Sequence, residues 1–422
     1  MPVVGIVAEY NPLHHGHVHH IQTSRRMTGA EAVIAVMSGN FTQRGEPALV
    51  SKWARAEMAL LAGVDLVFEL PFVFAARSAY HFARGAVTLL QKTGVVTHLS
   101  FGSEWGEIEP LQQIAAVISQ EPPEYRDQLK RELALGHSYP QARAQALQKH
   151  LKAKGWRQDL SEMLALPNNI LALEYLRVLQ ENPCGLIPVT IPRIGQGYHQ
   201  AGNVPLASAT FIRHQIQQQY PLDEIKGLPA FSRSVLEREI SNGHGPVLPA
   251  SMTGMIRFAL HRMKTSELAK IHDIGEGLEN RVHRAAQVCT SREQMIEHIK
   301  TRRYSYTRIS RILLYSLLGF TREKSVSFDQ TGPLYLRLLA FSPQGQKILH
   351  DMRVNSRLPV ITKLGRRHQL DDPLAQDMLA FDLLATDLHS LLQPQPGPLG
   401  LDFLRSPVGR HSTSGPQKSE QI

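Results

Sequence analysis

Val3-Val4-Gly5-Ile6-Val7-Ala8-Glu9-Tyr10-Asn11-Pro12-Leu13-His14-His15-Gly16-His17 begins as an apolar run and ends in a histidine-rich turn, followed by residues that can form a helix. Strand, turn and helix in that order are the repeating unit of a parallel α/β sheet. His14 and His17 are three apart, so on a first helical turn they share a face. Gly16 has no side chain, which lets an anion approach the backbone, and a helix N-terminus adds unpaired N–H groups and a positive dipole end. Two positioned imidazoles with aligned N–H donors suit a reaction in which charge grows on phosphate oxygens, which points to nucleotidyl transfer at an α-phosphate. In a chain with 20 histidines the same string also fits a polar loop or a structural pair. A zinc site would need a third ligand and a fixed outer shell.

A second segment, Pro205-Leu206-Ala207-Ser208-Ala209-Thr210-Phe211-Ile212-Arg213, supplies the complement. Ser208 suits a helix N-cap, where its hydroxyl and the first N–H groups face an anion. Thr210 adds a second hydroxyl. Arg213 can grip β- and γ-phosphates bidentately, which lysine does less well.

Around these motifs the chain alternates. Strands are predicted at Val3–Ala8, 32–37, 66–70, 95–101 and 186–191, and helices near 15–26, 51–62, 78–92 and 169–181. The pattern predicts a Rossmann-like parallel sheet in residues 1–228, with ligands beyond the carboxyl ends of the strands, where His14–His17, Gly39–Gly45 and Gly102-Ser103-Glu104 gather. Residues 107–165 read as a helical insertion. Residues 229–392 read as a mainly helical domain, with helices at 251–263, 266–273, 292–300, 306–318 and 373–391 and a short strand-like run at 358–361. The segment 393–422 repeats Pro, Gly and Ser with little apolar content and is expected to be a disordered tail.

Composition narrows the class without deciding it. Lys and Arg number 46 against 37 acids, a formal charge of +9, which suits a polyanionic partner. The two cysteines, Cys184 and Cys289, lack ligand spacing, which argues against a disulfide framework or thiolate metal centre and suits a reducing cytoplasm. With no apolar stretch of about 18 residues and no basic leader, a protein that is neither secreted nor membrane-spanning is expected.

Basic residues recur in three places. Lys300-Thr301-Arg302-Arg303-Tyr304-Ser305-Tyr306-Thr307-Arg308-Ile309-Ser310-Arg311 carries five cations, two tyrosines and no acid, a combination that suits RNA through phosphate contacts and base stacking. Lys363-Leu364-Gly365-Arg366-Arg367-His368 is a weaker cluster. Lys52 and Arg55 lie on a predicted helix, where a solvated face and a contact to phosphate or RNA are both open. Glu9, Asp65 and Glu69 invite a magnesium reading, but acids at strand ends are too common to assign one.

His14-x-Gly16-His17 and Ser208-Ala209-Thr210-x-Ile212-Arg213 resemble the paired motifs of the nucleotidyltransferase superfamily. Gly5–Pro12, Met37–Pro47, Leu166-Pro167-Asn168-Asn169-Ile170-Leu171 and Arg193–His199 narrow the likeness to the bacterial tRNA(Met) cytidine acetate ligases, over residues 1 to about 390. One departure is Ala209, where the superfamily has a second serine. The resemblance implies activation of acetate by ATP to acetyl-adenylate, then acetylation of the wobble cytidine of elongator tRNA(Met). It implies catalytic roles for His14, His17 and Arg213. ATP contacts are implied at Val7, Ala8, Glu9, Tyr10, Asn11, Pro12, Gly16, His20, Gly102, Asn168 or Asn169, Arg193, Ile194, Ser208 and Thr210, with Mg²⁺ bridging phosphate oxygens. Lys52, Arg55, Arg302, Arg303 and Arg308 are the expected tRNA contacts. A small-molecule adenylyltransferase is the runner-up, but such enzymes are usually shorter and lack the helical half with its basic stripe. A non-catalytic RNA-binding protein on the same scaffold is the contrasting class.

Overall fold

In the computed structural model the described residues are 1–156, 160, 163–183, 185–193, 207–365 and 370–409. β1 (Val3–Ala8) occupies the middle of the sheet because its Val and Ile side chains are buried on both faces, as a strand covered by helices on either side requires. It pairs in parallel with β2 (Ala32–Ser38) on one side and β4 (His98–Ser103) on the other. β3 (Leu66–Leu70) follows β2, and β5 (Ile187–Pro192) follows β4, again in parallel. Alternate residues of each central strand serve opposite faces. Val3, Ala32, Ile34 and Phe68 meet one apolar core, and Val4, Ile6, Val33 and Val67 meet the other. The helices Ala79–Lys92 and Pro167–Glu181 cover the first face, and His15–Thr28, Lys52–Leu61 and Ala209–Gln217 the second.

The insertion expected at 107–165 is helical, with Ile108–Gln120, Pro123–Ala134 and Tyr139–Ala153 packed toward Pro167–Glu181. Arg143 and Glu174 pair where it meets the helix Pro167–Glu181, both side chains nearly sealed from water.

The second half is mainly helical, and it also extends the sheet. β6 (Leu336–Phe341) lies antiparallel to β3, and β7 (Val360–Ile361) and β8 (Val408–Gly409) pair in parallel with β6. The order is β5-β4-β1-β2-β3-β6-β7, and the core continues across residue 228 without a break. β6 escapes a reading by periodicity because Leu-Arg-Leu-Leu-Ala-Phe is short and leucine-rich and lacks alternation.

The expected disordered tail is corrected as far as Gly409. A short helix, Leu401–Leu404, and β8 are ordered there, and Asp402 is 2% exposed. Leu404 is 70% exposed, and the segment is held by the charge pairs of Asp402, by the pairing of β8 with β6 and by Val408 against the core. Asp402 bridges Lys52 at 2.8 Å and Arg337 at 2.5 Å. Residues 410–422 lie outside the described part, as do Arg366, Arg367 and His368 of the 363–368 cluster. Among the described residues no helix is long and apolar enough to cross a membrane.

Candidate active site

The helix His15–Thr28 is capped by an imidazole instead of the usual hydroxyl or carboxylate. His14 is the N-cap, and its Nδ1 accepts from the Gly16 N–H at 3.0 Å. The His14 N–H in turn donates to His17 Nδ1 at 3.2 Å. These bonds stack the two rings with centroids 3.9 Å apart. Gly16 is required for this cap: a Cβ there would come within 2.8 Å of the His14 ring. No acid lies in the first turn, so the positive end of the helix remains available to an anion.

Burial, reinforced by Arg193, His15 and Arg213, pushes the His14 pKa down to about 4. Burial and the neighbouring His14, Arg193 and His20 hold His17 well below the usual value. His20, whose Nε2 lies 3.4 Å from Ser100 Oγ, is pushed down to about 4 by burial and Arg193. All three rings are neutral near pH 7. Because both Nδ1 atoms of the stacked pair accept hydrogen bonds, each ring carries its proton on Nε2. The pair therefore offers two N–H donors rather than two cations.

Arg213 joins the two motifs. Its Nη1 donates to the Asn11 carbonyl at 2.8 Å and its Nη2 to Thr210 Oγ1 at 3.2 Å. Ser208 caps the helix Ala209–Gln217 by accepting from Phe211 N at 3.2 Å, as its position in the sequence predicts. The His15 N–H donates to the Gly227 carbonyl at 3.0 Å, which fixes this segment against the first helix. Val7 and Ala8 end β1, and Tyr10, Asn11 and Pro12 are buried in the turn that follows. Glu9 accepts from the Gln43 N–H at 2.6 Å and from burial has a raised pKa. That bond ties the Gly39–Gly45 loop to the end of β1.

The other wall is organised by Glu104, which the sequence reading placed at the strand ends without giving it a role. Its carboxylate accepts from the backbone N–H groups of Asn168 and Asn169 and so caps the helix Pro167–Glu181. Asn169 is 1% exposed and spends its side chain on the Glu104 and Trp105 amides and the Met163 carbonyl. Asn168 instead accepts from Arg193 Nη1 at 2.7 Å. Of the two, Asn168 is the one beside a phosphate-binding type of side chain. Gly102 lies under Arg193, where a Cβ would stand 3.3 Å from its Cγ. Ile194 lies outside the described residues.

Lys52 and Arg55 are corrected as RNA contacts, because both are wholly buried. Lys52 pairs with Glu69 at 2.8 Å and with Asp402. Arg55 donates to the carbonyls of Glu9, Ser38 and Gly39, and so supports the site loop from beneath. In the basic stretch, Arg303 pairs with Glu276 at 3.0 Å, and Arg308 pairs with Asp273 at 3.3 Å while lying over the Tyr304 ring. Arg302 is exposed and has no ion pair or hydrogen bond among the described residues. Ser310 Oγ donates to the Gly45 carbonyl at 3.2 Å, so the end of this stretch abuts the site loop.

A family model described as HIGH Nucleotidyl Transferase matches residues 1–398. A tRNA(Met) cytidine acetate ligase of Syntrophomonas wolfei is 45% identical over 415 residues, 97% of this chain and 99% of that one. The chain belongs to the tRNA(Met) cytidine acetate ligase family. Members from Caldanaerobacter subterraneus and Halothermothrix orenii are 40% and 38% identical over 96% and 94% of this chain, covering 98% and 96% of theirs. The crystal structure of Thermotoga maritima TmcAL bound with alpha-thio ATP superposes with a TM-score of 0.91 at 37% identity, covering 97% of this chain and 99% of that one. The α/β nucleotidyltransferase fold is thus shared with a family member that holds an ATP analogue.

Proposed function

We propose that this chain is an ATP-dependent acetate ligase that forms acetyl-adenylate and acetylates the wobble cytidine of elongator tRNA(Met) to N4-acetylcytidine. The observation that carries the reading is the stacked, neutral His14–His17 pair at a helix N-terminus, with Arg213 bound to the Asn11 carbonyl in the turn before that helix. An acetate oxygen attacks the α-phosphorus, and the bond to the β-phosphate oxygen breaks to release pyrophosphate. The Nε2–H groups of His14 and His17 donate to the α-phosphate oxygens as their charge grows, and fixed donors lower the barrier because they need no reorganisation. Arg213, Thr210 and Ser208 take the leaving pyrophosphate, and Arg193, held by Asn168, faces the nucleotide from the other wall. Gly102, Val7–Pro12, Gly16 and His20 form the surface on which ATP lies. The cytidine exocyclic amine then attacks the acetyl carbonyl carbon, AMP leaves, and the amine loses one proton. Mg²⁺ enters with the triphosphate. Among the described residues no group of three His, Cys, Asp or Glu is placed to hold a metal, and the ion would arrive bound to the triphosphate and offset its charge. Arg302, with Arg303 and Arg308 once their acidic partners yield, meets the tRNA backbone.

The test is incubation of the purified chain with labelled acetate, ATP and transcribed tRNAs, followed by nucleoside digestion. Label in N4-acetylcytidine from elongator tRNA(Met) alone is expected. Label in no nucleoside, or acetate-independent adenylation of a small acceptor, would overturn the reading.

A further inference from the structure

The helices Thr253–Arg262 and Leu278–Val288 pack side by side and leave a shallow cleft of about 410 Å³, lined by Arg257, Phe258, His261, Ala286 and Gln287. On the first helix Ile256 and Leu260 turn into the core, whereas Phe258 stands 68% exposed, the most exposed aromatic ring among the described residues. An exposed aromatic ring flanked by unpaired cations presents a face on which a base with a π-system can stack. The Arg257 Nε is enclosed without a hydrogen-bond partner. His261, Arg262 and Arg284 are exposed, with no ion pair or hydrogen bond among the described residues. No Asp or Glu occurs between residues 240 and 266 or between 280 and 292, so the cations around the ring have no acid on these segments to neutralise them. The contrast is with Arg303 and Arg308, which folding supplies with Glu276 and Asp273.

We propose that this cleft binds an unpaired nucleotide of the tRNA, with its base stacked on Phe258 and its phosphates on Arg257 and the neighbouring Arg262 and Arg284. The proposal rests on the reading of tRNA as acetyl acceptor and adds a second contact region, distant in sequence from both phosphate motifs. Charge selects the occupant: a polyanion with flat rings satisfies both the free guanidiniums and the exposed ring, as an apolar surface of another protein would not.

The experiment compares full-length Phe258→Ala, Phe258→Trp and Arg257→Gln with the wild type. Binding of transcribed elongator tRNA(Met) is measured at several salt concentrations, alongside acetate-dependent ATP–pyrophosphate exchange and the sedimentation behaviour of the free protein. Phe258→Ala should weaken tRNA binding about tenfold, the size of one lost stacking contact. Phe258→Trp should bind within about twofold of wild type, since a larger ring still stacks. Arg257→Gln should reduce the salt slope by about one. Exchange should not change in any variant. Wild-type tRNA affinity in Phe258→Ala would overturn the proposal. So would conversion of an oligomer to a monomer with tRNA affinity intact, which would make the cleft a contact between copies of the chain. Failure of the wild type itself to bind or acetylate tRNA would sink the acceptor reading, and this proposal with it.

Discussion

Two groups of basic residues look alike as sequence and end in opposite circumstances. Arg193 and Arg213 reach the ends of the strands beside the neutral histidines, and among the described residues their side chains bond only to neutral oxygens, those of Asn168, Asn11 and Thr210. Lys52 and Arg337 are sealed under the same loop with Glu69 and Asp402, and their charge is consumed inside the protein. A cation is free for a phosphate at once where the fold gives it no carboxylate. That condition is set by residues hundreds of positions away, since Asp402 reaches Lys52 from the far end of the chain.

The largest effect should come from breaking the buried group. Deleting residues 394–422 removes Asp402 and β8, leaving Lys52 and Arg337 with one carboxylate fewer in a dry environment. Loss of one partner from a buried pair costs about 3–5 kcal/mol. Urea denaturation should therefore show a strongly destabilised protein. Unchanged stability would mean that water replaces Asp402 at no cost. Asp402→Asn, which keeps the shape, should reproduce much of the loss.

The exposed group should affect chemistry instead. His14→Ala or His17→Ala should lower acetyl-adenylate formation by about 10²–10³-fold, as for loss of one donor to a developing oxyanion, with little change in melting temperature or ATP affinity. Arg213→Ala should weaken ATP binding as well, because its target charge is already present in the ground state. ATP–pyrophosphate exchange and calorimetric titration separate these outcomes. Near wild-type exchange in both histidine variants would remove their proposed role.

Acid should weaken the fold through its buried rings. His14, His20, His272 and His389 are each pushed down to about 4, with burial the largest cause, from an ordinary value near 6.5. Below pH 6.5 the unfolded chain takes up protons that the folded chain refuses, so stability present at neutral pH falls as pH drops toward 4. The melting temperature should be flat from pH 7 to 8 and decline below about 6.5. A flat profile down to pH 5 would show that these rings ionise in place.

The smallest effect sharpens the comparison within the basic stretch. Arg302→Ala should lower the salt slope of tRNA binding by about one. Arg303→Ala should lower it less, because Glu276 already neutralises part of that charge. Equal effects would mean that the acid is displaced when RNA binds.

Much of the site was legible from residue order. The β1 turn, the histidine motif and the serine-capped helix each depend on local rules: a buried β-branched strand, a helix N-terminus, a capping hydroxyl. The strands Val3–Ala8 and Leu66–Leu70 and the helices Tyr306–Leu318 and Pro373–Leu391 match their predicted bounds for the same reason. Tertiary structure alone decided which charges remain free. It made Glu104 the cap of the helix Pro167–Glu181, turned Lys52 and Arg55 inward, gave β6 to the sheet, and held residues 393–409 through Asp402. Periodicity reports how a segment meets its neighbours along the chain. The partner of a buried charge, or of an edge strand, is chosen by desolvation and geometry across the whole fold.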